Sequence, residues 1–248
     1  MRILLSGLTG HMGREVCALA EAGCRGAEIV AGVDAFAKDD TCVPCARSFA
    51  EASADVDCVV DFSHHSLTHE LLAFCVKNSL PLVLATTGQT EEERAEINEA
   101  AKRIPLFFAS NYSMGIALLI ELAKKAASLM PEAEIEIIEA HHDRKLDAPS
   151  GTALTIAEEL KTVRTDAEFV MGRSGQHKRE KCEIGINSIR MGNIVGMHEV
   201  MIGTQNQTIT LKHEAHSRAL FAEGALAACE FLMGKPAGLY DMKAMVKV

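Results

Sequence analysis

The chain has 248 residues, of which 48% are hydrophobic and 24% are charged, and its formal net charge is −9. These proportions are typical of a globular protein with one large domain or two small ones. The negative charge argues against nucleic acid or an anionic membrane as a partner. The sequence has no apolar run of membrane-spanning length and no signal-peptide pattern, so we expect a cytoplasmic protein without a membrane partner.

The predicted elements begin with a buried strand over Arg2–Ser6, a glycine-rich turn over Gly7–Gly13 and a helix to about Ala22. Strand, glycine turn and helix in this order open a dinucleotide-binding unit, because glycines let the backbone approach a pyrophosphate at the helix N-terminus. The spacing is G-x-x-G-x-x-G, not the common G-x-G-x-x-G. A plain tight turn is therefore the alternative interpretation of these residues alone.

Asp34 follows the second predicted strand, Ala27–Val33, at the distance from the glycines where a carboxylate commonly binds the adenosine ribose. The alternative is a carboxylate that caps a turn. Ala35 comes next, with no arginine beside it to bind a 2′-phosphate, and Lys38 is the nearest downstream positive charge. The cofactor is therefore predicted to be NADH or NADPH, with NADH favoured.

The eight cysteines are scattered and lie mostly in apolar runs, so we expect free thiols in a reducing compartment. Cys42 and Cys45 form a C-x-x-C pair, a spacing that can bind zinc or cycle as a dithiol. No second pair completes a four-cysteine site, so we interpret this one as incidental. The segment 36–53 that contains it is predicted to be a loop with a short helix.

Three more buried strands, each followed by a helix, are predicted over Asp57–Asp61, Pro81–Leu84 and Pro105–Ala109. Five continuous apolar strands alternating with helices predict a parallel sheet covered on both faces. Ligands bind beyond the carboxyl ends of such strands, where small and polar residues occur here, although ordinary strand–helix turns have them too. His65 and His69 lie four apart, but we expect them to face solvent or cap a helix and predict no metal site.

The pattern changes after a helix predicted over Ile116–Met130. Strands are predicted over 135–140, 183–190, 194–202 and 208–213, with hairpin turns at 191–193 and 203–206 and a long loop over 161–181. These elements predict an open mixed sheet that is antiparallel for the most part. The final helix, Ala219–Met233, is expected to return to the first domain. The fold class is therefore predicted as α/β, a Rossmann-type parallel-sheet domain (1–112 and 219–248) with an inserted α+β domain (113–218).

The segment from Glu139 to Thr152 combines the groups that acid–base chemistry on an anion requires. It offers imidazoles that titrate near neutral pH, the ammonium of Lys145 and the start of a helix whose amides attract anions. Pro149 favours an extended backbone before that helix, and Ser150 is predicted to cap it. The alternative is a polar surface turn with solvated charges.

Several segments together resemble the 4-hydroxy-tetrahydrodipicolinate reductase (dihydrodipicolinate reductase) family of the diaminopimelate–lysine pathway. They include the glycine turn, Val60–Ser63, Ala85–Gly88, Ala109–Gly115 and above all Glu139–Leu154. The resemblance covers almost the whole chain and implies NAD(P)H-dependent reduction of a small cyclic dicarboxylate to tetrahydrodipicolinate with loss of water. It also implies a homotetramer assembled through the sheet of the second domain. The alternatives are a related dehydrogenase acting on another dicarboxylate, and a non-catalytic NAD-sensing protein.

The resemblance also implies roles for individual residues. His141 is the acid–base group, and Lys145 is a proton donor and carboxylate partner. The substrate-binding set is His142, Ser150, Gly151 and Thr152. The cofactor-binding set is Gly7, Leu8, Thr9, Gly10, His11, Met12, Asp34, Ala85, Thr86, Thr87, Ala109, Ser110, Asn111 and Tyr112.

Overall fold

The computed structural model describes residues 1–38, 41–53 and 55–246. They form two compact units, Met1–Ser113 with Arg218–Met245, and Met114–Ser217. The strands in chain order are β1 (Arg2–Ser6), β2 (Glu28–Val33), β3 (Cys45–Ala46), β4 (Cys58–Asp61), β5 (Leu82–Leu84), β6 (Pro105–Phe108), β7 (Glu134–His141), β8 (Glu168–Met171), β9 (Glu183–Arg190), β10 (Gly196–Gly203), β11 (Thr208–Ala215) and β12 (Gly238–Tyr240). The helices are α1 (His11–Glu21), α2 (Thr68–Asn78), α3 (Glu91–Ala101), α4 (Met114–Leu129), α5 (Gly151–Lys161), α6 (Ala219–Leu232) and α7 (Met242–Met245).

The first unit is built on a parallel sheet with the strand order β12-β6-β5-β4-β1-β2-β3. Its central strands are mostly apolar, as expected for a parallel sheet whose faces are covered by helices. On one face Leu4, Val59 and Leu82 pack against Leu71 of α2 and Ile97 of α3. The strand order reverses between β1 and β4, the position where parallel sheets of this type bind ligands.

Two short strands of this sheet differ from the sequence prediction. The predicted short helix within 36–53 is wrong for the described residues, which contain β3 instead. Pro44 disfavours a helix there, while Gly32 and Asp34 donate backbone hydrogen bonds to Pro44 and Ala46. β12 adds a further strand beside β6, with Leu239 opposite Leu106, and no strand was predicted there from the sequence.

The second unit contains a mixed sheet with the strand order β11-β10-β7-β9-β8. The prediction of a mixed sheet is confirmed, but its antiparallel majority is wrong, since two neighbouring pairs are antiparallel and two are parallel. The hairpin predicted at 191–193 is also wrong, because β9 and β10 lie on opposite sides of β7 and the turn crosses over that strand. The hairpin at 203–206, between β10 and β11, is confirmed.

The long loop predicted over 161–181 contains β8, which pairs in parallel with the edge of β9. The core of the unit lies between the sheet and helices α4 and α5. Alternate residues of β7, β9 and β10 point toward these helices, as the two-residue period of a strand requires. The resulting core includes Ile135, Ile137, Ile184, Ile186, Val200, Ile202, Ala123, Ile156 and Leu160.

His65 and His69 point toward helix α3. The Nδ1 atoms of their rings lie 3.1 Å from Glu93 and 3.0 Å from Glu96, respectively. The side chain of His69 is 78% exposed, which agrees with the prediction of a solvent-facing residue. Helices long and apolar enough to cross a bilayer are absent from the part of the chain that the structure describes.

Candidate active site

The predicted cofactor residues of the first unit lie at the carboxyl ends of its strands. The glycine turn follows β1, Asp34 follows β2, Ala85–Thr87 follow β5 and Ala109–Tyr112 follow β6. Because the strands are parallel, these segments meet at one edge of the sheet.

The glycine turn approaches neighbouring backbone too closely for side chains at two positions. Gly7 has a positive φ of +80°, and a Cβ there would lie 2.7 Å from the carbonyl oxygen of Phe62. A Cβ on Gly13 would lie 2.2 Å from the carbonyl oxygen of Gly7. Gly10, which has no side chain, stands at the N-cap of α1. A helix start approached by glycine backbone fits a pyrophosphate group.

The carboxylate of Asp34 anchors this turn. One oxygen accepts hydrogen bonds from the amide of Thr9 at 2.9 Å and from its hydroxyl at 2.7 Å, and the other accepts from the amide of Phe36 at 2.9 Å. Partial burial opposes ionisation of Asp34, but the bonds from Thr9 outweigh it and lower the pKa. The turn-capping interpretation of Asp34 is therefore realised, and the group is a carboxylate at neutral pH.

A cavity of about 500 Å³ lies beside this carboxylate. Phe36, which is 89% exposed, forms part of its lining. Arg14 and Lys38 add two positive charges to the same lining, and Glu21 adds one negative charge. The cavity therefore presents an aromatic surface and cationic groups beside the glycine turn.

A buried carboxylate, Asp61, connects two of the loops at the edge of the first sheet. It accepts hydrogen bonds of 2.5 Å from the hydroxyls of Ser63 and Thr86. Burial raises the pKa of Asp61 despite these donors. The side chain of Tyr112 is also buried, and its hydroxyl donates to the carbonyl oxygen of Leu84 at 2.8 Å. The side chains of Asp61 and Tyr112 therefore connect the loops that follow the carboxyl ends of these strands.

In the second unit, strand register brings a row of polar groups together on the core face of the sheet. Glu139 of β7 lies opposite His198 of β10 and Ser188 of β9. His141, two residues further along β7 on the same face, lies opposite Arg190. The apolar series Ile135–Ile137 therefore continues into polar residues at the end of the strand where α5 begins.

The carboxylate of Glu139 is the centre of this row and is 0% exposed. Its oxygens accept hydrogen bonds from both Nη atoms of Arg190 at 2.9 and 2.8 Å and from the amide of Ser150 at 3.1 Å. Nδ1 of His141 lies 2.6 Å from Oε2. Burial opposes ionisation, but the bonds from Arg190, and then from His141, outweigh it and lower the pKa of Glu139 to about 2.

The two neighbouring imidazoles differ in their partners. The rings of His141 and His198 meet edge to face at 5.2 Å, but Nε2 of His198 lies 3.1 Å from the hydroxyl of Ser150. Burial, followed by the nearby charge of His141, lowers the pKa of His198 to about 4, so this ring is neutral at pH 7. Burial also lowers the pKa of His141, against the opposing effect of Glu139.

Ser150 caps α5, as predicted, since its hydroxyl accepts a hydrogen bond from the amide of Ala153 at 3.2 Å. Ser150 is 2% exposed, and the donors and acceptors described above occupy its hydroxyl and amide. Ser150 therefore has a structural role, because it links the start of α5 to Glu139 and His198.

Lys145 already pairs with a carboxylate in the loop before α5. The ammonium of Lys145 lies 2.8 Å from Asp147, and the side chains are 22% and 58% exposed, respectively. The hydrogen bond from Lys145 is the main cause that lowers the pKa of Asp147, and the amide of Gly151 contributes in the same direction. The ammonium of Lys145 is thus the main partner of this carboxylate, and the amide of Gly151 contributes least to the shift.

His142 is half-buried, and its Nδ1 has no hydrogen-bond partner within the described residues. Three residues that surround His141 were not predicted as site residues from the sequence, namely Glu139, Arg190 and His198. Glu139 carries a local signal, because it shares a strand face with His141. Arg190 and His198 come from other strands, and only the register of the sheet brings them to the site.

The fold defines the class of the protein as a Rossmann-type oxidoreductase with a second, mixed-sheet unit. Residues 1–112 match the family described as Dihydrodipicolinate reductase, N-terminus, and residues 115–246 match Dihydrodipicolinate reductase, C-terminus. The chain belongs to the dihydrodipicolinate reductase family, whose members are NAD(P)H-dependent oxidoreductases.

Individual relatives agree along the full chain. A 4-hydroxy-tetrahydrodipicolinate reductase of Clostridium novyi (strain NT) is 42% identical, covering 99% of this chain and 98% of the relative. Its counterpart in Clostridium tetani (strain Massachusetts / E88) is 43% identical, with coverages of 99% and 97%. A solved structure of a dipicolinate-bound dihydrodipicolinate reductase from Paenisporosarcina sp. TG-14 has a TM-score of 0.84 at 25% identity and covers 99% of both chains.

Proposed function

We propose that the chain reduces 4-hydroxy-tetrahydrodipicolinate to tetrahydrodipicolinate with NADH or NADPH, within lysine biosynthesis through diaminopimelate. One hydride and one proton are added, and the substrate hydroxyl leaves as water. The observation that carries this proposal is the ammonium of Lys145, which already pairs with a carboxylate at 2.8 Å in the loop between His141 and the start of α5. The substrate is a cyclic dicarboxylate, and a relative of this fold is described as dipicolinate-bound.

We assign the proton chemistry to His141 and Lys145. His141 has a carboxylate on one ring nitrogen, and the positive charge of Lys145 is near enough to lower its pKa. A general acid or base requires such an exchangeable proton near the reacting atom. The substrate carboxylate replaces that of Asp147 at Lys145 and the Gly151 amide. His142 and Thr152 complete the substrate-binding set, and Ser150 supports that set by capping the helix that carries Gly151 and Thr152. An ammonium and an amide together favour an anion more strongly than either group alone.

We assign the cofactor to the first unit, along the set predicted from the sequence: Gly7–Met12, Asp34, Ala85–Thr87 and Ala109–Tyr112. The bound nicotinamide supplies the hydride. The turn over Gly7–Gly13 holds the pyrophosphate, and the exposed ring of Phe36 offers a stacking surface for the adenine. The side chain of Tyr112 supports the edge from within and contributes through its backbone.

We propose that NADH is preferred. Asp34 uses three of about four lone-pair positions in the hydrogen bonds described, so one remains for a ribose hydroxyl. Its negative charge disfavours a 2′-phosphate, while Arg14 and Lys38 offset part of that repulsion. We therefore expect both cofactors to be used, with the higher kcat/KM for NADH. A higher kcat/KM for NADPH in the same assay would contradict this assignment.

The activity is tested directly with 4-hydroxy-tetrahydrodipicolinate generated enzymatically in the cuvette and NADH in excess. We expect loss of reduced-cofactor absorbance that depends on both the substrate and the chain. A planar analogue, dipicolinate, should inhibit by competing with the substrate. Turnover of another dicarboxylate, without turnover of this one, would assign the chain to a different reaction.

We also propose a homotetramer assembled through the mixed sheet of the second unit, and a location in the reducing cytoplasm. The location is supported by the eight cysteines, which are all free thiols. The assembly follows from the family resemblance and is tested by sedimentation equilibrium, where a mass of four chains is expected. A monomeric chain that is fully active would contradict the tetramer.

A further inference from the structure

The single positive charge of Arg190 is enough to neutralise the buried carboxylate of Glu139, yet this carboxylate also accepts a hydrogen bond from a backbone amide. The guanidinium of Arg190 binds both of its oxygens, and the amide of Ser150 adds a third donor. Arg190 also donates to the carbonyl oxygen of Asp147 at 2.6 Å, which connects Glu139 to the loop that carries Lys145. Both partners are therefore fixed, since a bidentate guanidinium defines the plane of the carboxylate.

The contact between Glu139 and His141 determines which nitrogen of the imidazole ring carries the proton. Oε2 is 2.6 Å from Nδ1, and an ionised carboxylate can only accept hydrogen bonds, so Nδ1 must carry the proton. The other nitrogen, Nε2, then exchanges protons. A Cβ on Gly196 would lie 3.2 Å from Nε2, so the absence of a side chain at this position leaves room beside it.

The charged and titratable groups around His141 come from several elements. Glu139 precedes it on β7, Lys145 lies in the following loop, Arg190 projects from β9 and His198 from β10. Of these groups, only Glu139 raises the pKa of His141. Lys145 and Arg190 are cations and lower it, and His198 would oppose a charged His141 ring if it gained a proton itself. The neighbouring ring of His198 contacts a hydroxyl instead of a carboxylate.

We propose that Glu139, fixed by Arg190 and the Ser150 amide, is a positioning residue that holds His141 with Nδ1 protonated and Nε2 available for the proton step. This inference rests on the proposed function, because His141 is the acid–base group in that reaction. Glu139 acts only through His141 and does not touch the substrate. The same logic applies in hydrolases where a buried carboxylate sets the tautomer of a catalytic histidine.

The test is Glu139→Gln, assayed for kcat, KM and their pH dependence. A glutamine amide can donate to Nδ1 and so favours the wrong tautomer. We expect kcat to fall by about 10²-fold or more, because a mispositioned acid–base group loses most of its contribution of about 10²–10⁴-fold. The KM for the dicarboxylate should change less than about threefold, since Lys145 and Gly151 remain. The limb of the pH profile that belongs to His141 should move to lower pH.

Two further variants separate positioning from a merely structural role. Glu139→Asp keeps a carboxylate and should restore part of kcat and the original pH limb. Glu99→Gln is the control, because Glu99 forms an exposed ion pair with Lys102 in the first unit. It removes a carboxylate from an ion pair without touching His141 and should leave kcat and the pH profile unchanged.

Histidine-ring NMR of isotope-labelled wild-type protein gives a readout without turnover. We expect a proton on Nδ1 of His141 in the wild type and a shift toward the other tautomer in Glu139→Gln. A wild-type ring protonated on Nε2 alone, or a folded Glu139→Gln with wild-type kcat, would overturn the inference. If the wild type fails to reduce the substrate, the proposed function is wrong, but the NMR result still decides the positioning role.

Discussion

The ammonium of Lys145 lies 2.8 Å from the carboxylate of Asp147, two residues further along the same loop. The pair joins a proposed catalytic cation to a carboxylate of the protein itself, at the position assigned to a carboxylate of the substrate. In the absence of substrate, Asp147 thus shields the ammonium with an internal counter-ion. Under the proposed function, a carboxylate of the substrate displaces Asp147 from the ammonium when it binds.

We predict that Asp147→Asn lowers the KM for the dicarboxylate. The pair is partly exposed, and such pairs contribute about 0.2–1 kcal/mol, which corresponds to about a 1.4- to fivefold decrease in KM. Asp143→Asn is the control, because its exposed carboxylate pairs with Arg144 instead. Steady-state kinetics at fixed NADH measures both variants. An increase in KM for Asp147→Asn would show that Asp147 helps binding.

We predict that His141→Ala and Lys145→Ala each lower kcat by about 10²–10⁴-fold, because each removes a general acid–base group. Both side chains lie at the end of β7 or in the loop after it, so the fold should be retained, as circular dichroism can verify. His69→Ala and Lys181→Ala are matched controls at exposed positions. Near-wild-type turnover in either site variant would remove that residue from the mechanism.

We predict that Gly224→Ala destabilises the first unit, although glycine-to-alanine changes inside helices ordinarily stabilise by up to about 1 kcal/mol. A Cβ at this position in α6 would lie 1.7 Å from the carbonyl oxygen of Tyr112. Forcing the two backbones apart should cost about 1–3 kcal/mol. Thermal unfolding measures the change, with the neighbouring exposed substitution Glu223→Ala as the control. A raised midpoint for Gly224→Ala would contradict the close approach.

We predict that the unfolding free energy falls as the pH drops from about 6.5 to about 4, and that His198 is one cause. Its pKa is about 4 in the folded chain and about 6.5 in the unfolded chain, so in this window the unfolded state binds the additional proton. His141 and His213, whose pKa values are also lowered, act in the same direction.

The variant His198→Asn removes one of the side chains that bind an additional proton on unfolding. The slope of unfolding free energy against pH in this window should decrease by up to about 1.4 kcal/mol per pH unit. Urea unfolding at several pH values measures the slope, and His177→Asn, at an exposed position, should leave it unchanged. An unchanged slope in His198→Asn would show that this ring does not titrate differently on unfolding.

The elements that the sequence predicted well are those whose signals are local. β1, β4, β5 and β6 are short apolar runs bounded by turn residues, and each of α2, α3 and α6 follows such a signal. By contrast, β3, β8 and β12 are short strands at the edges of sheets. Their hydrogen-bond partners come from neighbouring strands, and two to four residues carry too little pattern to indicate a strand.

Sheet order was predictable only where the connections impose it. The strand–helix alternation of the first unit forces parallel neighbours, so that sheet was predicted correctly except at its edges. The residues Met191–Asn193 have the composition of a hairpin turn, yet β7 lies between the two strands that they join. Local turn chemistry does not determine which strand occupies the space between them.

The same distinction applies to the site. His141, Lys145 and Ser150 are recognisable because one short segment contains the imidazole, the ammonium and the helix cap. His198 and Arg190 depend on the pairing of β7 with β10 and β9, which no local pattern specifies. Glu139 was within reach of sequence reasoning, because residues two apart in a strand share a face.

The first unit is discontinuous in the chain, and this affects the order in which the two units fold during synthesis. Its helix α6, which packs against α1, and its strand β12, which pairs with β6, belong to residues translated after the whole second unit. Domains generally fold as units during synthesis, starting with the earliest residues. Here residues 1–113 leave the ribosome with one edge of β6 unpaired, so the later unit can finish folding first. A nascent chain stalled before residue 218 would be the form most exposed to aggregation and to chaperones.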